Sequence, residues 1–159
     1  MTGERMKVLI FDSTALNQAP YIDYYKQVLV NKNIDYKICT WDKYSDGEPI
    51  IENNIITIRM KWHKGKRKYY DFFRVASQLQ TIIEKGQYTH LVLVNTVWAM
   101  LLRRLLLNKF SGKYVIDIRD YKCELAPGYK FFLKKLIDKS FFTTISSGGF
   151  VVFCLTQRK

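Results

Sequence analysis

Two carboxylates and a guanidinium stand close together in the string Asp117-Ile-Arg-Asp-Tyr121, directly after a run of apolar residues. A carboxylate in such a place can deprotonate a substrate hydroxyl, and a guanidinium can hold a phosphate through two hydrogen bonds. Burying these charges is costly unless they are paired or used. An ion pair between Arg119 and Asp120 that only supports the structure explains the string equally well. Both interpretations stay open from these residues alone.

The sequence shows no pattern for a metal or a cofactor. Neither His63 nor His90 has a second histidine, a cysteine or a carboxylate cluster at metal-ligand spacing. The glycine fingerprints of P-loop and dinucleotide-binding proteins do not occur. The string Ser-Ser-Gly-Gly at 146–149 suits an anion-binding helix start or a plain turn. We therefore expect no metal site and no cofactor.

Strands and helices alternate along the chain, according to the spacing of its apolar residues. Apolar or alternating runs predict strands over 6–12, 34–39, 55–58, 91–94, 114–118 and 141–145. Helical spacing predicts helices over 21–33, 69–85, 98–108 and 128–139, and Gly86 is expected to end the second of these. This order predicts an α/β fold of Rossmann type, a three-layer sandwich with a mainly parallel sheet and right-handed crossovers.

The carboxyl ends of the predicted strands define where a ligand would bind. In α/β folds of this kind, ligands lie beyond those ends. The residues at the ends are 12–13, 40–41, 95–96, 119–120 and 146–147. We expect the cleft to be built from these five places.

Three strings carry a resemblance to a known family: Gly86-Gln-Tyr88 before a strand, Val115-Ile-Asp-Ile-Arg-Asp120, and Thr144-Ile-Ser-Ser147 followed by Gly149-Phe150. With the order of elements over residues 7–150, they resemble the N-terminal domain of GT-B glycosyltransferases, of the group-4-like kind that builds bacterial capsular and cell-surface polysaccharides. The resemblance implies one of two facing Rossmann domains, the N-terminal holding the acceptor and the C-terminal binding the nucleotide-sugar donor. The loop 13–20 departs from the family, because it lacks the glycine-rich stretch that many members place there.

The resemblance implies roles for the residues at the strand ends. Asp120 is the candidate catalytic residue, which contacts or deprotonates an acceptor hydroxyl. Arg119 is expected to steady a phosphate on a lipid-linked glycan acceptor. The other candidates for acceptor binding are Ser13, Asn17, Asn95, Asp117, Tyr121, Ser146 and Ser147.

The expected domain organisation is a glycosyltransferase-like domain over 1–150 and an atypical tail over 151–159. The tail is apolar and then abruptly basic, which is typical of a truncated or frameshifted reading frame. A C-terminal donor-binding domain is expected to be missing. The chain would then bind a nucleotide sugar only together with such a domain, and alone it would be an incomplete, inactive enzyme.

Net charge is +12, from 26 Lys and Arg against 14 Asp and Glu, so an acidic neighbour is expected. Basic residues concentrate in the loop 59–68 and on the predicted helix 128–139, where aromatic residues lie between them. This pattern suits an anionic lipid surface, and an ordinary helix face with its Phe and Leu residues in the core explains it as well. The candidates for membrane or anion contact are Arg67, Lys68, Lys130, Phe131, Lys134 and Lys135.

Charge alone also supports a different class of protein, a polyanion-binding or peripheral membrane module without catalysis. Nucleic acid is the disfavoured partner, since the basic residues form no known recognition motif. The sequence has no secretory signal and no apolar run of transmembrane length, and its three cysteines are spaced like reduced thiols. We expect a cytoplasmic protein, peripheral on the inner face of the plasma membrane.

Overall fold

The protein is described here by a computed structural model, which covers residues 5–14, 18–63, 65, 67–119 and 128–145. Five helices and seven strands alternate along these residues. In chain order they are β1 (Lys7–Asp12), α1 (Ile22–Asn31), β2 (Asp35–Asp42), β3 (Ile50–Glu52), β4 (Ile55–Arg59), α2 (Arg67–Gly86), β5 (His90–Val94), α3 (Thr96–Leu101), α4 (Arg103–Lys109), β6 (Tyr114–Ile118), α5 (Tyr129–Lys139) and β7 (Phe142–Ile145).

The seven strands form one mostly parallel sheet in the order β3-β4-β2-β1-β5-β6-β7. Strands β1 and β2, β2 and β4, and β6 and β7 pair in parallel, and only the short β3 is known to run antiparallel to its neighbour β4. This confirms the predicted α/β fold of Rossmann type. The chain divides into two compact units, Met1–Leu91 and Val92–Lys159.

The core of the first unit lies between three buried strands and the inner face of α2. Residues 8–12 of β1 and residues 38–41 of β2 are buried without interruption, as expected of central parallel strands. Helix α2 buries Val75, Leu79 and Ile83, which recur every four residues and so share one face. Cys39 is a free thiol in this core, and burial raises its pKa.

Helix α1 differs from the prediction made for it. The expected apolar face included Tyr24 and Val28, but both are largely exposed, and Ile22 is the helix's one buried residue. Tyr25 and Leu29, three and seven residues after the buried Ile22, are half-buried, so the packed face is narrower than the apolar spacing predicted. The helix packs along this narrow face and leaves Tyr24 and Val28 in solvent.

In the second unit, β6 is buried at all five positions and has the bounds that its sequence predicts. Helix α5 packs through Tyr129, Leu133 and Leu136. The helix predicted over 98–108 is instead two helices, α3 and α4, which meet at Leu102. The backbone N–H of Leu102 still donates to the carbonyl of Trp98, and that of Leu106 to the carbonyl of Leu102. The chain therefore keeps its helical path, and the interruption is the ψ of 10° at Leu102.

Two further details correct the sequence predictions. The strand β3 was missed, because it is three exposed residues at a sheet edge with no periodic signal. Gly86 is the last residue of α2, as predicted, but the left-handed conformation common after a helix is taken by Gln87, with φ 52°. Gly86 is required for a different reason: a Cβ there would lie 2.1 Å from the ring of Tyr88. The Tyr88 ring therefore packs directly against the end of the helix.

Candidate functional site

A cavity of about 450 Å³ opens in the first unit, mainly at residues that end or follow β1 and β2. Its size is that of a small-molecule pocket. Hydroxyl, amide and aromatic side chains dominate its lining: Ser13, Thr14, Gln18, Thr40, Trp41, Asp42, Lys43, Tyr44, Ile55 and Thr57. We call it the strand-end pocket. It contains Ser13 and residues 40–41, which the sequence placed in the cleft.

The buried carboxylate of Asp12 holds the loop that begins this pocket. Its Oδ1 accepts the backbone N–H of Thr14 at 2.9 Å, and its Oδ2 accepts the hydroxyl of Tyr21. The first bond is an Asx turn, which fixes the chain two residues beyond the carboxylate. Ser13 and Thr14 are thereby placed at the pocket by a group that is itself out of reach of solvent.

A second carboxylate, Asp42, shapes the other side of the strand-end pocket. It accepts the Ser45 hydroxyl and, at 2.9 Å, the backbone N–H of Tyr44, and these bonds outweigh its partial burial and lower its pKa. Arg59, the register partner of Asp42, donates from Nε to Ser45 Oγ at 3.1 Å. This network fixes the loop that carries Tyr44, whose side chain is 90% exposed.

Trp41 links the pocket to a cluster of aromatic rings. Its indole N–H donates to the carbonyl of Met60 at 2.7 Å, and its ring centroid lies 5.3 Å from that of Trp62 and 5.8 Å from that of Phe72. The amine of Lys43 lies 5.3 Å from the Trp41 ring, within cation–π range. The buried Trp41 ring is therefore held on several sides, and it gives the pocket a rigid apolar wall.

No spacing pattern in the sequence marks the contact between His63 and Asp71. Asp71 is 1% exposed and accepts both the backbone N–H of His63 at 2.7 Å and its ring Nδ1 at 3.1 Å. Burial opposes ionisation of Asp71, but the hydrogen bonds from His63 and the charges of His63 and Arg74 lower its pKa. The pair attaches the basic loop to α2. A histidine eight residues before a helical aspartate could have suggested it only if the loop were known to fold back.

In the second unit, three sequence-predicted residues come together at the ends of β5 and β6. Asp117 is buried within β6, and Arg119 bonds its Oδ2 from Nε at 2.9 Å and from Nη2 at 2.8 Å. The backbone N–H of Asn95 donates to the carbonyl of Asp117 at 2.8 Å. The partner of Arg119 among the described residues is thus Asp117, whereas Asp120, for which the sequence suggested this pair, lies outside them.

Asn95 has two features typical of functional positions. Its backbone has φ 76° and ψ 140°, a region that residues other than glycine rarely occupy. Its side-chain Oδ1 is buried without a hydrogen-bond partner in the described part of the chain. Both features have a free-energy cost, and an unsatisfied buried oxygen calls for a ligand or another explanation.

The basic aromatic helix α5 resolves an ambiguity of the sequence. Leu133 is in the core, whereas Phe131 is 69% exposed, and the flanking Lys130, Lys134 and Lys135 are exposed too. Phe131 is therefore not a core residue. Its ring stands in solvent against that of Phe132, with centroids 5.4 Å apart.

The remaining candidates fall outside what the structure describes. These are Asn17, Asp120, Tyr121, Ser146 and Ser147, together with the side chains of Arg67 and Lys68. Over the described ranges, no group of three or more His, Cys, Asp or Glu could hold a metal ion. None of the helices described is long and apolar enough to cross a membrane.

Comparison with known proteins gives a likeness of fold. The sequence matches no family model and no curated protein. Among solved structures, an α,α-trehalose-6-phosphate synthase from Burkholderia multivorans is similar with a TM-score of 0.54 and 10% identity over 92% of this chain. A UDP-forming α,α-trehalose-phosphate synthase from Burkholderia vietnamiensis gives a TM-score of 0.54 and 11% identity over 91%.

The likeness covers only part of each synthase. The chain spans 41% and 40% of the lengths of the two synthases. At such low identity the comparison speaks to the fold alone. The chain has an α/β fold of Rossmann type, like that of part of these two synthases.

Proposed function

We propose that this chain is the acceptor-binding domain of a GT-B glycosyltransferase that transfers a sugar from a nucleotide sugar to a glycan acceptor. The strand-end pocket is the observation that carries the proposal. It lies where ligands of α/β folds bind, in a chain whose fold is glycosyltransferase-like.

The lining of the strand-end pocket suits a sugar. Hydroxyls of Ser13, Thr14 and Thr57 can each donate and accept a hydrogen bond, as sugar hydroxyls do. The rings of Trp41 and Tyr44 supply the apolar surface against which the C–H face of a sugar ring packs. Held loops on both sides make this a largely preformed site.

The chemistry proposed for the complete enzyme needs groups beyond this pocket. Asp120 is proposed to accept the proton of the acceptor hydroxyl, and Arg119 to hold a phosphate of the acceptor. The nucleotide sugar is proposed to bind a second, C-terminal domain, so this chain alone would transfer no sugar. Capsular or cell-surface polysaccharide is the proposed product.

A lipid-linked acceptor would bring the domain to a membrane, and α5 is the surface proposed to meet it. An exposed Phe131 among exposed lysines can insert its ring at the headgroup boundary while the amines bind anionic headgroups. We propose peripheral association with the inner face of the plasma membrane. The lysines and the aromatic ring lie on one helix, so both would act in the same encounter.

Saturation-transfer NMR with a panel of soluble glycosides tests the pocket. We expect Tyr44→Ala and Thr57→Val to weaken binding of the best glycoside about tenfold, because each removes a contact from the pocket wall. Tyr24→Ala is the matched control, since Tyr24 is 72% exposed on α1 and does not line the pocket. Equal loss in all three variants, or binding of no glycoside, would remove the acceptor site from this pocket.

Co-sedimentation with vesicles tests the membrane surface. Binding to phosphatidylglycerol vesicles should exceed binding to phosphatidylcholine vesicles, and both Phe131→Ala and the pair Lys134→Glu with Lys135→Glu should reduce it severalfold. The pair Lys32→Glu with Lys113→Glu makes the same change of charge at other exposed lysines. A polyanion-binding module would instead bind heparin or DNA, with all four lysine changes weakening it alike.

A further inference from the structure

A second cavity, of about 540 Å³, lies in the first unit, away from the strand-end pocket. Lys7, the first residue of β1, lines it, whereas Ser13, just after the end of β1, lines the strand-end pocket. The other walls come from the second half of α2 and from the hairpin of β3 and β4. Ligands of the main site of an α/β fold bind at the opposite ends of the strands, so this cavity needs its own explanation.

The body of this second cavity is apolar. Ile51 and Ile56 of the hairpin face it, together with Ile82 of α2 and the ring of Tyr88. The ring is 7% exposed, and it takes this position because Gly86 has no Cβ to exclude it. Burial of the ring, with a smaller effect of Cys39, raises the pKa of Tyr88 to about 12, so its hydroxyl stays neutral.

Three lysines give the same cavity a positive charge. Lys7 Nζ donates to the carbonyl of Gly86 at 2.8 Å and lies 5.1 Å from the centroid of the Tyr88 ring, which fixes its amine at the wall. Lys37 Nζ donates to the carbonyl of Asn53 at 2.9 Å, and Lys85 adds a third amine. Glu48 is the one acidic residue of the lining, so the formal charge there is positive by two.

Gln78 supplies an observation that itself calls for a ligand. It lines the cavity, and its amide Oε1 is buried with no hydrogen-bond partner among the described residues. This oxygen is closed off from solvent, so a turn of the amide toward the cavity would be needed to bring it to an O–H or N–H donor of a ligand, which would relieve its unpaired state. One cavity of ligand size is thus lined by lysine amines, by apolar side chains and by an amide whose oxygen has no partner among the described residues.

We infer that this cavity binds a small amphiphilic anion, with its apolar chain or ring against the isoleucines and Tyr88 and a phosphate or carboxylate headgroup at the lysines. With the Gln78 amide turned toward the cavity, the remaining proton of a phosphate monoester, or a neighbouring hydroxyl, donates to its Oε1. The site is independent of the proposed acceptor function. It offers that domain a second ligand, bound at the other ends of the strands.

Three probes that separate charge from apolar surface test the inference. Monooctyl phosphate carries both, octyl glucoside carries the chain without the charge, and inorganic phosphate carries the charge without the chain. Titrations below the micellar concentration, followed in ¹H–¹⁵N spectra, should give monooctyl phosphate at least tenfold tighter binding than either other probe. The side-chain amide of Gln78 and the backbone amides of Gly86 and Tyr88 should shift most.

Variants assign that binding to the cavity. Lys37→Gln with Lys85→Gln should weaken monooctyl phosphate binding about tenfold, and Thr81→Trp, which fills the cavity from its lining, should abolish it. Lys32→Gln with Lys113→Gln is the control at exposed lysines elsewhere and should leave it unchanged. Thermal unfolding checks that each variant still folds.

Several results would overturn the inference. If octyl glucoside binds as tightly as monooctyl phosphate, the cavity does not recognise an anionic headgroup. If none of the three probes binds, the cavity is not a ligand site. Shifts confined to α5 would assign the probe to the basic aromatic helix. None of these results bears on the strand-end pocket, whose test uses glycosides and Tyr44, so the two proposals fail separately.

Discussion

Two strand ends carry an aspartate and an arginine, and the two pairs are built differently. In the first unit, Asp42 and Arg59 are register partners on β2 and β4, and the hydroxyl of Ser45 joins them. In the second unit, Asp117 and Arg119 belong to one stretch of chain and bond directly at 2.8 to 2.9 Å. The same residue types thus serve a half-buried loop in one place and a buried strand in the other.

The difference shows how burial decides what such a pair does. The Asp117 side chain is 2% exposed, so a charge there must be neutralised locally, and Arg119 provides the neutralisation. Asp42 retains contact with solvent, and its bonds go to the loop that carries Tyr44. The pair of Asp117 and Arg119 primarily supports the sheet, whereas Asp42 with Arg59 sets the shape of a pocket.

Removing Asp117 should have the largest effect on stability. Asp117→Ala leaves the guanidinium of Arg119, which is 29% exposed, without its buried carboxylate, and losing these charge-assisted hydrogen bonds costs about 2–3 kcal/mol. The free energy of unfolding, measured in urea, should fall by that amount. Asp117→Asn retains the shape and a hydrogen-bond acceptor and should lose less.

Removing both members of the pair sharpens this prediction. Asp117→Leu together with Arg119→Leu replaces the charges by apolar groups, and it should be more stable than Asp117→Ala alone. If Asp117→Ala unfolds at the same urea concentration as the unmodified chain, the pair does not support β6. The comparison with Asp42 would then lose its basis.

Removing Asp42 should have an intermediate effect, with a distinct dependence on pH. Asp42→Ala loses two hydrogen bonds to a partly solvated carboxylate, and we expect a loss of about 1.5 kcal/mol at pH 7. The pKa of Asp42 is lowered in the folded chain, so its stabilisation is present above the unfolded value of about 3.9. It is lost as the pH falls through the lower, folded pKa.

The measurement for Asp42 is the free energy of unfolding between pH 2 and pH 7. The difference between the unmodified chain and Asp42→Asn should shrink steadily below about pH 4. Asp71→Asn is the comparison, because the pKa of Asp71 is lowered as well and its variant should show a change of the same sign. A difference that grows on acidification would mean that the Asp42 carboxylate is not stabilised by folding.

Much of this fold could be predicted from the sequence, because the buried strands are runs of apolar residues. Strand β6 has the predicted bounds, and the predicted strands over 6–12 and 91–94 lie within a residue of β1 and β5. Continuous apolar runs mark strands that are covered on both faces. The edge strand β3 gave no such signal, since all three of its residues face solvent.

The candidate site was less predictable, because its residues are joined by contacts between distant parts of the chain. Ser13 could be placed at a strand end, but the bonds of Asp42 to Ser45, and of Ser45 to Arg59, depend on pairing of β2 with β4. Likewise, Asp71 is one position on a helical face until the loop at His63 folds onto it. The spacing of residue types predicts where a residue lies on its helix or strand. Its hydrogen-bond partners from distant parts of the chain depend on the tertiary structure.

Replacing Asn95 should have the smallest effect, and of the opposite sign. Its φ of 76° and ψ of 140° cost a residue with a Cβ about 1–3 kcal/mol, and glycine escapes this strain. Glycine also loses more chain entropy on folding, by about 0.5–1 kcal/mol. Asn95→Gly should therefore raise the free energy of unfolding by about 1 kcal/mol, measured in urea.

Asn95→Ala separates backbone strain from the unpartnered Oδ1. Alanine retains a Cβ, and with it at least the same strain, but removes the buried oxygen, so a gain from Asn95→Ala would show that the unpartnered oxygen is costly. If Asn95→Gly is less stable than the unmodified chain, then Asn95 is not strained. If both variants are more stable yet bind glycosides more weakly, Asn95 destabilises the fold but favours ligand binding, as strained residues at functional positions commonly do.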